Sequence, residues 1–259
     1  IDHAVPGNPD IIGGMQDNGT KFTYSDNINV DWTNPAGADG FHCAIADSST
    51  AVYTSNNTSR QPHIKVWRTI LDEQGEIVIK TRIDPIGAKD LIWNTPFKLD
   101  PNNSNRMYLA GGNIIWRNNH LDSIPYEDSS DSTSIGWDSL SNTALNNYDE
   151  SMGRPEYVSA IEISSVPENI VYYGSTYGRV FRIDNANTGN PEPVEITSEL
   201  FPNNANVGCV AVDPADANKV FVVFTNFNVI SIFYSEDAGE SWESVAGNLE
   251  QYPSGAGAG

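Results

Sequence analysis

Basic residues are scarce: 14 Lys and Arg stand against 34 Asp and Glu in 259 residues, a formal charge of −20. Such a field repels phosphate backbones, so a nucleic-acid partner is excluded on charge. Docking on an anionic lipid surface is disfavoured without bridging cations. Long apolar runs are also missing: none approaches the roughly 18 to 20 residues of a membrane span, so no membrane insertion is expected. Cysteine is rare, with Cys43 and Cys209 lying 166 residues apart and in no CxxC pair, which leaves zinc and thioredoxin readings unsupported. Their apolar flanks predict two buried thiols rather than a disulfide. There is no G-x-S-x-G, no G-x-x-x-x-G-K-[ST] and no HExxH among the four His (His3, His42, His63, His120). No initiator Met or signal peptide is present, and the run Pro253-Ser-Gly-Ala-Gly-Ala-Gly259 closes the sequence, which reads as a mature piece or a fragment.

Turn-formers are plentiful: 28 Asn, 21 Gly and 15 Pro. Set between β-branched and aromatic runs, they predict many short strands. Four segments share one pattern, an alternating apolar strand, a polar pivot and a second apolar strand. They are Cys43–Asp47 into Ala51–Tyr53, Pro96–Asp100 into Arg106–Gly111, Ala160–Ser164 into Ile170–Gly174, and Cys209–Asp213 into Lys219–Val223. An opening half-unit, Gly7–Asp10 into Ile11–Gly14, fits the same mould. The pivots Asp47, Asp100, Ser164 and Asp213 are separated by 53, 64 and 49 residues. Units of this size suit β-propeller blades of about 40 to 50 residues with insertions. A βαβ alternative would need helical periodicity, and no 3.6 pattern exceeds two turns. The polar stretch 120–150 reads as an inserted surface loop.

One local signal is sharper. Ser235-Glu-Asp237-Ala-Gly239-Glu-Ser-Trp242 has the S-x-D-x-G-x-x-W spacing of an Asp-box. Asp237 can satisfy the turn's own amides, Gly239 supplies a positive φ, and Trp242 plugs the apolar layer. A carboxylate locked in a turn this way is a structural staple before it is a catalyst.

On these residues the chain resembles the Asp-box (BNR-type) propellers, a group that includes sortilin-like ectodomains and xyloglucanase-type glycosidases. It is more similar to large secreted propeller proteins of Bacteroidota that end in a type IX secretion sorting domain. Further motifs carry the likeness: Gly13-Gly-Met-Gln-Asp17-Asn-Gly19-Thr20, Trp32 followed by Gly37-Ala38-Asp39-Gly40-Phe41, Tyr157–Ile161, Tyr173–Val180, Thr225–Val229 and Gly247–Glu250. The family usually has Gly-Gly-Asp-Gly where this chain has Gly37-Ala38-Asp39-Gly40, and seven or more blades where about five are visible. The sorting domain is not within these residues. The resemblance implies a secreted or cell-surface protein and an incomplete propeller spanning 1–259. Its end blades, near residues 1–30 and 207–250, are expected to pack on missing blades of the parent protein or on other protein chains.

Glycosidase chemistry needs two carboxylates, about 5–5.5 Å apart for retention or about 6.5–9.5 Å for inversion. Asp17 and Asp39, both in Gly-flanked turns, are the candidate catalytic pair, although capping of their own turns explains them as well. A sialidase-like arginine cluster is not evident among eight Arg. No organic cofactor is expected. Calcium is a weaker option, with oxygen ligands offered by the Asp100–Asn105 and Asp184–Thr188 turns. Trp116 and Trp137 could stack on sugars, although packing between blades explains Trp116 as well. The residues thus favour a non-catalytic binding or scaffold propeller with a glycan or protein partner. The alternative is a polysaccharide-active glycoside hydrolase.

Overall fold

The structure, a computed structural model, describes residues 2–3, 10–27, 29–46, 51–57, 64–150 and 153–250, with backbone alone at 2, 3 and 149. Among them the only helices are three 3-10 turns, Leu121–Ser123, Ser141–Thr143 and Gly247–Leu249. Everything else that is regular is strand, as the turn-rich, β-branched sequence requires. Five four-stranded sheets follow one another along the chain, each with its strands paired in chain order. The first holds β1 (Asp2–His3), β2 (Ile11–Met15), β3 (Gly19–Thr23) and β4 (Thr33–Ala36). The second holds β5 (Asp39–Ile45), β6 (Ala51–Asn57), β7 (Ile64–Leu71) and β8 (Ile77–Arg82). The third holds β9 (Phe97–Asp100), β10 (Asn103–Ala110), β11 (Ile115–Asn118) and β12 (Trp137–Leu140). After the short pair β13 (Tyr148–Asp149) and β14 (Arg154–Pro155) comes the fourth, β15 (Val158–Ile163), β16 (Val171–Ser175), β17 (Val180–Ile183) and β18 (Val194–Glu195). The fifth is β19 (Val207–Asp213), β20 (Asp216–Phe224), β21 (Ile232–Ser235) and β22 (Glu243–Ser244). The fold is all-β, built from the antiparallel four-stranded blades of a propeller.

The repeated sequence units fall on the first two strands of the second to fifth sheets, and Ile11–Gly14 of the opening half-unit on β2. The pivot Asp47, residues 7–9 of the half-unit and the side chains of His3 and His63 lie outside the described residues. The other pivots close their hairpins. Asp100 Oδ1 accepts the Asn102 amide at 2.8 Å and Asp213 Oδ1 accepts that of Ala215 at 2.8 Å. Ser164 Oγ donates to the Pro167 carbonyl at 2.6 Å. Each is a local side-chain-to-backbone turn.

The chain divides into two compact units: residues 1–99, 103–109 and 118–138, and residues 100–102, 110–117 and 139–259. In the first unit, the cross-strand partners Ile12 and Phe22 pack on Ile45, Val52 and Leu71 of the second sheet. Fully buried side chains of this kind contribute about 1.5–3 kcal/mol each. The stretch 120–150 is more than a loop, because Trp137–Leu140 forms the fourth strand of the third sheet. Nor is Trp137 available to a sugar: it is 8% exposed and its indole donates to the Ile83 carbonyl at 2.7 Å. Buried Arg68 pins the same stretch, donating to the Leu121, Ile124 and Pro125 carbonyls at 2.9, 3.0 and 2.7 Å.

In the second unit the fourth and fifth sheets share one apolar cluster, with Tyr172 and Val180 facing Val210, Val222 and Phe233. Phe201 sits edge-on to Trp242 and Phe233, at 5.1 and 5.0 Å between ring centres. Both cysteines are thiols, but the expected burial fails: Cys43 is half-buried and Cys209 exposed. The reason is alternation. Val210 takes the packed side of β19 and leaves Cys209 on the other.

Candidate functional site

Asp17 and Asp39 do come together. Asp17 sits in the β2–β3 turn with φ of +63°, and its main-chain amide donates to Asp39 Oδ1 at 2.9 Å. Asp39 opens β5, so its carboxylate caps a turn of the neighbouring sheet. The approach depends on glycines. A Cβ at Gly14 would lie 2.2 Å from the Phe41 carbonyl oxygen, and one at Gly40 would lie 2.4 Å from that of Gly19. Beside this contact Trp93, 48% exposed, stands edge-on to Phe41 at 4.6 Å.

The Asp-box is a closed local network. Ser235 Oγ donates to Asp237 Oδ1 at 2.8 Å and accepts the Gly239 amide at 2.8 Å. Asp237 accepts the Ser241 amide and hydroxyl at 2.8 and 2.5 Å, and these bonds hold its pKa down at about 2. Gly239 takes φ of +93°, which an L side chain adopts only under strain. Trp242 is buried in the apolar cluster, its indole donating to the Ile196 carbonyl at 2.9 Å. Every acceptor of Asp237 faces its own turn.

The calcium candidates have protein partners of their own, although Asp184 is exposed. Asn103 Oδ1 takes the Asn105 amide at 3.1 Å, and Asp184 Oδ1 takes Arg182 Nε at 2.8 Å. Among the described residues no three His, Cys, Asp or Glu side chains group as a metal site. Trp116 is half-buried and packs on Gly111, where a Cβ would lie 2.3 Å from its ring.

Sequence reading missed a cleft of about 570 Å³ in the second unit. Its walls include Tyr148 of β13, Tyr177 and Arg179 of the β16–β17 turn, and Phe201, Asn203 and Asn204 of the loop before β19. Ser175 Oγ shapes the turn by accepting the amides of Tyr177 and Arg179, each at 3.2 Å. The Tyr177 hydroxyl donates to the Arg154 carbonyl of β14, fixing the short ladder that carries Tyr148. Arg179 is the electrostatic centre. Its Nε and Nη2 fork onto Glu195 at 3.0 and 2.6 Å, its Nη1 reaches Glu156 Oε2 at 3.2 Å, and its guanidinium lies over Phe181 at 4.6 Å. The hydrogen bonds from Arg179 push Glu195 below the usual carboxylate range, and those to Glu195 push Arg179 up. Glu156 is fully buried. Its Oε2 also accepts the Asn147 amide at 2.8 Å, while its Oε1 has no hydrogen-bond partner.

One guanidinium between two carboxylates leaves a net charge of 1 − 2 = −1, and Glu150 on the wall adds another negative charge. The cleft therefore disfavours anions. Amide, hydroxyl and aromatic groups dominate the rest, with Tyr148 62% exposed at the rim. Such a lining suits a neutral polyhydroxylated ligand: ring faces take C–H surface, while amides and hydroxyls exchange hydrogen bonds. The local signal was the Tyr173–Val180 run, which places Arg179 directly after a tight turn.

No family model and no curated protein matches the chain. Among solved structures it is similar to the GH74 enzyme of Niastella koreensis, with 15% identity and a TM-score of 0.52 over 94% of this chain and 44% of that one. The chain thus spans less than half the length of that solved relative. At this identity the likeness carries the architecture alone, and the architecture it carries is that of β-propeller blades.

Proposed function

We propose that the chain is a non-catalytic binding propeller of a secreted or surface-attached bacterial protein, and that the cleft beside Arg179 takes a neutral glycan. The observation that carries this reading is the exposed Tyr148 ring at the mouth of a cleft whose one cation is already held by Glu156 and Glu195. A sugar stacked on Tyr148 would gain about 0.5–1.5 kcal/mol from the ring. Tyr148→Ala is therefore expected to weaken binding of neutral oligosaccharides by roughly 2- to 10-fold in titration calorimetry. An array of neutral glycans that shows no binding, or affinity unchanged in Tyr148→Ala, refutes it.

A second reading has its own support. The likeness to a GH74 enzyme, with the meeting of Asp17 and Asp39 beside the exposed Trp93, suits a polysaccharide-active glycoside hydrolase. Asp39 spends one oxygen on the Asp17 amide, which favours turn-capping over acid–base work. Turnover of β-glucans that disappears in both Asp17→Asn and Asp39→Asn would reverse the order of the two readings.

A further inference from the structure

Arg179 is held by contacts of two different kinds. Through Nη1 it donates to Glu156 Oε2 at 3.2 Å, and the Glu156 side chain is fully buried. Its guanidinium also lies over Phe181, which is itself buried and stacked on Tyr173 at 4.7 Å between ring centres. Neither contact uses a hydrogen of Nε or Nη2. Those two nitrogens fork onto Glu195, at 3.0 Å to Oε1 and 2.6 Å to Oε2. Glu195 closes the two-residue strand β18, and its side chain is 43% exposed. The Thr197 hydroxyl steadies Glu195 by donating to Oε1 at 2.9 Å, and Thr197 and Arg179 both line the cleft.

Bidentate pairing is how an arginine takes any planar carboxylate, whether it belongs to the protein or to a ligand. A partly exposed pair of this kind contributes little to stability, so the fold does not depend on it. We propose that Glu195 is the specificity-determining residue of the cleft: it occupies the place on Arg179 that the carboxylate of a uronic-acid sugar would take, and so keeps acidic glycans out. This inference rests on the reading of the cleft as a glycan site and adds the residue that sets its charge preference. A uronate approaching the wild-type cleft meets an occupied fork. It also meets three carboxylates, those of Glu150, Glu156 and Glu195, against the one guanidinium. Neutral sugars meet neither obstacle. Specificity here comes from rejecting the competitor rather than from gripping the ligand. Removal of the Glu195 side chain leaves Arg179 in place, because Glu156 and Phe181 still hold it, and opens Nε and Nη2 to the cleft. Glu195→Gln opens them less, since the amide oxygen still accepts from the fork.

The test is an array of neutral oligosaccharides and of glucuronate and galacturonate oligomers, followed by titration calorimetry on the strongest binders. Glu195→Ala is expected to bind uronates at least about tenfold more tightly than the wild type, the scale of charge-assisted hydrogen bonds. Glu195→Ser, which also vacates the fork, should behave in the same way. Glu195→Gln should gain less than Glu195→Ala although both remove the same charge. Equal gains would assign the effect to net charge and overturn the inference. Arg179→Lys in the Glu195→Ala background should abolish the gain, because an ammonium cannot form the fork; a gain that survives also overturns it. So do uronates that bind the wild type as tightly as neutral glycans. Neutral binding that needs Tyr148, with no uronate gain in Glu195→Ala or Glu195→Ser, removes this inference and keeps the cleft as a neutral-glycan site. Uronate gain without any neutral binding by the wild type sustains the role of Glu195 and removes the neutral-glycan reading. No glycan bound by any of these proteins removes both.

Discussion

His42 is kept uncharged by its surroundings. Burial, reinforced by the positive charge of Lys98, lowers its pKa from 6.5 to about 4. The unfolded chain therefore takes up this proton before the folded one does. Stability contributed by neutral His42 is fully present above pH 6.5, falls as pH drops, and stops falling below about 4. A shift of this size corresponds to roughly 3 kcal/mol. Asp237 acts in another window: its pKa is held at about 2 by the Ser241 and Ser235 bonds, so its contribution is intact above about 3.8 and is lost as pH falls through 2. Because the windows do not overlap, the two residues can be separated. His42→Gln is expected to flatten the decline in Tm between pH 6.5 and 4 and to leave the steeper loss below pH 3.5 in place. A wild-type decline that His42→Gln does not alter would assign the acid sensitivity elsewhere.

The packing between sheets depends on a few positions where only glycine fits. At Gly174 a Cβ would lie 2.3 Å from Val207 Cγ1 and 2.6 Å from its Cβ. A β-branched side chain on a strand cannot swing away. Gly174→Ala should cost about 1–3 kcal/mol in urea unfolding, and adding Val207→Ala should restore part of it. Strict additivity of the two changes would show that the contact is not the cause. At this scale the sequence was legible where chemistry is local. The pivots Asp100, Ser164 and Asp213 close the hairpins their spacing implies, and the Asp-box spacing implies the bonds that Ser235 and Asp237 make. Strand Trp137–Leu140 was not legible, because its two central residues, Asp138 and Ser139, are both exposed and break the period of two. The cleft was not legible either: Tyr148, Arg179, Thr197 and Asn204 come from separate segments of the chain, and no short motif joins them. Cys209 shows the remaining gap. Its apolar neighbours indicate a strand but not which of the strand's two sides is covered.

For the molecule as a whole, the dominant electrostatic fact is the excess of 20 acidic over basic residues. Two effects of salt oppose each other. Screening weakens attractive pairs such as Arg179–Glu195, and it also weakens repulsion among the excess carboxylates. Partly exposed pairs like this one contribute about 0–1 kcal/mol each, and the Arg82–Asp84 pair, with side chains 10% and 4% exposed, is largely sheltered from ions. The repulsion acts over the whole surface, and its range shrinks from about 30 Å at 0.01 M salt to about 8 Å at 0.15 M. Compaction brings the carboxylates closer than they lie in the unfolded chain, so the folded state gains more from screening. Tm is therefore expected to rise as NaCl goes from about 0.01 to 0.15 M, by about 2–4 °C for each kcal/mol of repulsion relieved. Glutamine at exposed Glu73, Glu127, Glu199 and Glu240, far apart in sequence and all at the surface, should raise Tm at low salt and reduce its salt dependence. A Tm that falls with added NaCl would mean that specific ion pairs outweigh the net charge, and the four substitutions would then leave the slope unchanged.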